Sequence, residues 1–182
     1  MSPLSTRSPE ESRLYLELQP CASCGAPALE VAAQWLGEDD GGVLVSGYQT
    51  RCAQCGAAAE FEFTVPDEPP APPQFGGPEP SALIDAGQFW TVARELAGMV
   101  PADPAQCPAE DRPDAREAIA FAVAALTEVR KFLPADGNEV PPEAFFTPAG
   151  RAAHGDDPTA FSRRRLTALD NTYRQILQAY DA

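Results

Sequence analysis

Apolar and polar positions change their spacing twice along this 182-residue chain. At residues 58–65, "AAEFEFTV" alternates strictly. Phe61, Phe63 and Val65 fall on one side and Glu60, Glu62 and Thr64 on the other, the period of a half-buried strand. Upstream, "ALEVAAQWL" and "VLVSGYQTR" read as two further strands, joined by "EDDGG" at residues 38–42, a turn by composition. Ahead of them, "SPEESRLYLELQP" carries a helix-start signal: Ser8 as N-cap, Pro9 at the first helical position and Glu11 closing a capping box. Leu14, Tyr15 and Leu18 then share a helical face, although Leu14, Leu16 and Leu18 also alternate as a strand would. Pro20 ends the element in either case.

Beyond residue 80 the spacing becomes helical. Asp85 is placed to cap a helix through Gln88, with Phe89, Ala93, Leu96 and Val100 on one face. "RPDAREAIAFAVAALTEVRKFLP" gives the clearest stripe, Ile119, Val123, Leu126, Val129 and Leu133, stopped by Pro134. Thr147-Pro148 starts a short helix that Gly155 can end. Asp157-Pro158 begins the last one, with Leu166, Leu169, Tyr173, Ile176, Leu177 and Tyr180 inward. The pattern predicts a bundle or layer of three or four helices. Between the two regimes, residues 66–80 hold seven prolines, which favours a stiff extended connector over helix or strand.

Cysteine spacing adds the chemistry. Cys21-Ala22-Ser23-Cys24-Gly25 and Cys52-Ala53-Gln54-Cys55-Gly56 are near copies. Two residues between cysteines let both sulfurs face one ion across a tight turn, and the glycine accepts the positive φ that follows. Two such knuckles supply four thiolates, which satisfies tetrahedral Zn²⁺ with bonds of about 2.3 Å and leaves no open position for a catalytic water. Iron suits the same cage by ligand type. A redox dithiol would need one such pair, not two matched ones. Residues 21–65 resemble a zinc ribbon, and Cys21, Cys24, Cys52 and Cys55 match its ligand positions one by one. The resemblance implies a small antiparallel sheet holding a structural Zn²⁺. It covers about a quarter of the chain and is nearly silent on function. The whole is expected to be an α+β protein: an N-terminal segment plus zinc-ribbon unit over residues 1–65, a Pro-rich connector over 66–80, and a helical region over 81–182 packed on the ribbon.

Charge then narrows the partners. Net charge is −14 and the pI about 4.3, so the chain as a whole is repelled by nucleic acid and by anionic membrane surfaces. Ribbons that bind nucleic acid usually carry basic residues around the knuckles. Here Arg51 stands alone against Glu30, Glu38, Asp39, Asp40, Glu60 and Glu62. Twelve arginines to the single Lys131, with 32 alanines, suit a GC-rich bacterial genome. No apolar run follows Arg7 as a signal peptide requires, and no stretch is long enough to span a bilayer, so a cytoplasmic location, where thiols stay reduced, is expected.

No catalytic constellation emerges. His154 in "RAAHGDD", beside Asp156 and Asp157, reads as a helix C-terminal histidine. Asp103, Glu110 and Asp111 read as solvated loop acids, and Cys107 as an unligated thiol. The one basic run, Arg163, Arg164 and Arg165, spreads around a helix and is expected to pair with the acidic front of the chain. The sequence therefore favours a non-catalytic zinc-binding interaction module for a basic protein partner, of the inhibitor or immunity type. The alternative is a zinc-ribbon regulator contacting nucleic acid or the transcription machinery.

Overall fold

The alternating stretches do form strands and the 3.6-residue stripes do form helices. In a computed structural model, residues 3–27, 29–39 and 41–181 are described. Among them are a four-stranded sheet and five helices, an α+β fold with its longer helices toward the C-terminus. The chain divides into two units, Met1–Gly77 and Pro78–Ala182. Among the described residues no helix is long and apolar enough to cross a membrane.

In the first unit, β1 (Leu4–Ser5), β2 (Leu29–Glu38), β3 (Leu44–Cys52) and β4 (Ala58–Thr64) lie in the order β1-β4-β3-β2. β3 pairs antiparallel with β2 and β4, while β1, a strand too short for the sequence pattern to reveal, runs parallel to β4. Helix α1 (Pro9–Glu17) packs on the face that carries Phe61 and Phe63. Tyr15 meets both rings edge-on, and Tyr48 meets Phe63 at 5.6 Å between centroids. Burial raises the Tyr15 phenol's pKa. The Ser8 hydroxyl caps α1 by accepting from the Glu11 amide. The box closes one residue earlier than expected, because the Glu11 carboxylate takes the Arg7 amide at 2.7 Å as well as the Arg7 guanidinium. Ser8 also donates to the carbonyl of Phe75, a buried ring at the end of the proline-rich stretch.

In the second unit, α2 (Ala86–Gly98), α3 (Arg112–Lys131), α4 (Pro148–Asp156) and α5 (Arg163–Asp181) surround a core of Ile84, Phe89, Ile119, Leu126, Val129, Phe161 and Leu166. Two boundaries differ from expectation. Gly155 lies inside α4 rather than ending it, and Asp157 precedes a separate 3-10 turn, Pro158–Phe161, before α5 begins. The N-termini of α2 and α4 share one carboxylate. Buried Asp85 accepts from the Gln88 amide, as a capping box requires, and also from the amide and hydroxyl of Thr147, the N-cap of α4, at 2.7 Å each. Gly87 and Gly150 allow this approach: a Cβ on Gly150 would stand 2.0 Å from Asp85 Oδ1, and one on Gly87 2.5 Å from Gly150 Cα. Asp85→Ala removes a cap and leaves the part-buried amide and hydroxyl of Thr147 without this acceptor, so urea unfolding of the second unit should show a loss of roughly 2–4 kcal/mol. A loss smaller than about half a kilocalorie, the range of an ordinary surface change, would contradict the shared-carboxylate role.

Candidate metal centre

Each knuckle is built by the same backbone bonds. The Gly25 amide donates to the Cys21 carbonyl and the Cys21 amide to the Ala26 carbonyl. The Gly56 amide donates to Cys52 and the Cys52 amide to Ala57 in the second copy. Gly25 and Gly56 have φ of +76° and +74°, with nothing within 4 Å of a Cβ at either, so conformation and not crowding selects glycine there. The first knuckle follows α1 and the second joins β3 to β4. Leu29 at the start of β2 opposes Cys52 at the end of β3, and this register brings the knuckles together.

The four sulfurs of Cys21, Cys24, Cys52 and Cys55 lie within 4.8 Å of one another. Cys21 Sγ is 3.6 Å from Cys55 Sγ, and Cys24 Sγ is 3.7 Å from Cys52 Sγ. A tetrahedral ion with sulfur bonds of about 2.3 Å demands edges of about 3.8 Å, so the cage already has the size of a bound metal ion. Cys21 and Cys52 are buried against Ala26, Leu29 and Ala57, while Cys24 and Cys55 face outward.

The cage also divides its charge unevenly. Hydrogen bonds from the amides of Ser23 and Cys24 hold the Cys21 thiol down to about 6, with contact from the Cys55 and Cys52 sulfurs acting in the same direction. For Cys24, the Ala26 amide favours the thiolate, but Cys55, burial and the other two cysteines together push the thiol up to about 12. One sulfur is thus ready to receive a cation, and a bound dication would draw the protons from the rest.

The remaining candidates disperse. Cys107 is a buried free thiol outside the cluster. His154 sits in the last turn of α4, its ring stacked on Phe145 at 4.3 Å and tilted against Phe161. Asp157 is taken by Thr159 and Arg165, which hold its carboxyl below the usual range, Thr159 first. Arg163 donates to the carbonyls of Gly137, Pro134 and Ala135. The arginine run was expected to pair with the acidic front; Arg163 and Arg165 instead find partners among residues 134–157, and Arg164 is exposed. Asp103 caps a 3-10 turn, and Glu110 and Asp111 are exposed. In the β2–β3 turn, Asp39 accepts from the amides of Gly41 and Val43, Glu38 is exposed, and Asp40 lies outside the described residues.

No protein-family model matches the chain, and no curated protein or solved structure matches it. What the site can do therefore rests on its own donor set: four soft sulfurs within 4.8 Å of one another, which could hold one metal ion between two turns. Purified protein should carry close to one equivalent of metal by elemental analysis, and Cys52→Ser should lose it together with most soluble protein. A variant lacking two of the four cysteines that kept metal and full thermal stability would contradict the assignment.

Proposed function

We propose that this chain is a non-catalytic interaction module whose first unit is a zinc ribbon, with Zn²⁺ held by Cys21, Cys24, Cys52 and Cys55, and that it binds a basic protein partner as an inhibitor or immunity-type protein does. Zinc suits a site whose task is cross-linking, since it brings no redox chemistry and four thiolates complete its shell. The cytoplasm would keep those thiols reduced. The observation that carries the reading is charge: residues 1–77 hold eleven acids against Arg7, Arg13 and Arg51. An anionic surface on a cross-linked sheet speeds encounter with a cationic protein and discourages nucleic acid. The rival, a regulator that touches nucleic acid, draws on the 163–165 arginines, and two of these are engaged within their own unit.

The β2–β3 turn is the natural place for steering, because it caps the end of the hairpin away from the knuckles. Replacing Glu38, Asp39 and Asp40 by Gln, Asn and Asn should slow association with a basic partner several-fold at low salt and leave dissociation nearly unchanged. Asparagine at 39 can still accept the Gly41 and Val43 amides, so the turn should survive. Stopped-flow rates that are equal for both proteins and flat with ionic strength would contradict steering from this turn. His154→Ala should leave partner binding and any biological activity intact, because its ring stacks on Phe145 in an aromatic setting. Lost activity in a folded, equally stable His154→Ala protein would restore an enzymatic reading.

A further inference from the structure

β2 ends the sheet. It pairs with β3 on one side and, among the described residues, with no strand on the other. Ten residues make a long edge, and natural edges of that length are usually covered, shortened or charged along their middle. Here the charges stand near the ends, at Glu30 and Glu38, and the middle is apolar and open: Val31 is 52% exposed, Trp35 42% and Leu36 65%. An irregularity between Val31 and Ala33 places Val31 opposite Thr50 and Leu36 opposite Ser46, on the same face as Tyr48. A cleft of about 120 Å³, lined in part by Pro9, Leu36, Tyr48 and Pro66, opens beside that face. On the opposite face Trp35 lies flat on Gly47, where a Cβ would come within 2.0 Å of the indole, so the ring is held in place while its outer surface stays open.

Resting on the reading of this unit as a binder of a basic protein, we propose that β2 is the docking edge, and that the occupant is an extended segment of the partner in which apolar residues alternate with Arg or Lys. The segment adds to the sheet as a further strand. Backbone hydrogen bonds along β2 supply sequence-independent affinity, and alternate side chains supply selectivity. Apolar residues cover Val31 and Leu36 and enter the cleft, while cations cross the open face of Trp35 and meet Glu30 on that side. Charge complementarity selects this occupant over a second copy. Two copies meeting along β2 would each bring residues 1–77 with eleven acids against three arginines, a like-charge encounter that a basic segment avoids.

The test uses the full metal-loaded chain, ¹⁵N-labelled, at low salt, with a decapeptide alternating Val and Arg as probe and a Val–Glu decapeptide as control. The Val–Arg peptide should shift and protect amides of residues 29–38 and move the Trp35 indole resonance while leaving that of Trp90 in place. The Val–Glu peptide should do neither. Val31→Lys with Leu36→Lys, both at exposed positions, should keep the metal and the β3–β4 amide protection and weaken binding on the order of tenfold. Equal binding of both peptides, full binding by the lysine variant, or a β2-protected dimer before any peptide is added would overturn the proposal. Val–Arg peptide bound only at other amides overturns this edge and spares the basic-partner reading. No binding anywhere at low salt overturns both.

Discussion

Four sulfurs must meet at one point, and the rest of the first unit is arranged around that requirement. The sheet is small, and its outermost strand buries little: seven of the eight residues from Glu30 to Gly37 are exposed. The apolar contribution comes mainly from Leu14, Leu16, Val45, Tyr48 and Phe63 under α1. Below roughly 70–80 residues, such a core rarely offsets the entropy of ordering the chain. A metal ion held by the cysteines of residues 21–24 and 52–55 would cross-link the β2–β3 hairpin at its open end, where Leu29 opposes Cys52. The backbone bonds of each knuckle matter because they set sulfur positions before any ion arrives, which fits S···S separations of 3.6 and 3.7 Å.

The second unit is held by different means. Its core is aliphatic and aromatic and wraps α3, and its precision comes from Asp85 joining the starts of α2 and α4 over a glycine–glycine contact. Buried acids elsewhere in this unit are paired: Asp170 accepts from Arg130 and Arg174 through one oxygen, and Glu128 from Lys131. These pairs fix helix register without requiring a metal. Arg163 and Arg165 are also engaged within this unit, while Arg164 is exposed. Arg163 donates to the carbonyls of Pro134, Ala135 and Gly137 in the loop after α3, and Arg165 to Asp157.

Local signals in the sequence were the ones that proved legible. Paired Cys-x-x-Cys-Gly named all four converging sulfurs, because the knuckle is a six-residue device whose geometry is written in its own residues. Strict alternation found β4, and the Ile119–Val129 stripe found α3. Contacts between distant residues left no such trace. Asp85 looks like an ordinary N-cap until Thr147, 62 residues on, is seen to share it. β2 reads as a strand, but nothing in "ALEVAAQWL" says that it lies at the edge, since strand order is set by pairing partners and not by composition. Gly155 shows the limit of a compositional stop signal: glycine permits a helix to end but does not oblige it to.

Native-state hydrogen exchange with and without a chelator addresses the central claim, that the metal cross-link holds the sheet while the helical unit stands without it. Removing the metal should abolish slow exchange across residues 29–64 and leave the amides of α2, α3 and α5 as protected as before. Sheet amides that exchange equally slowly in the metal-free protein would contradict it.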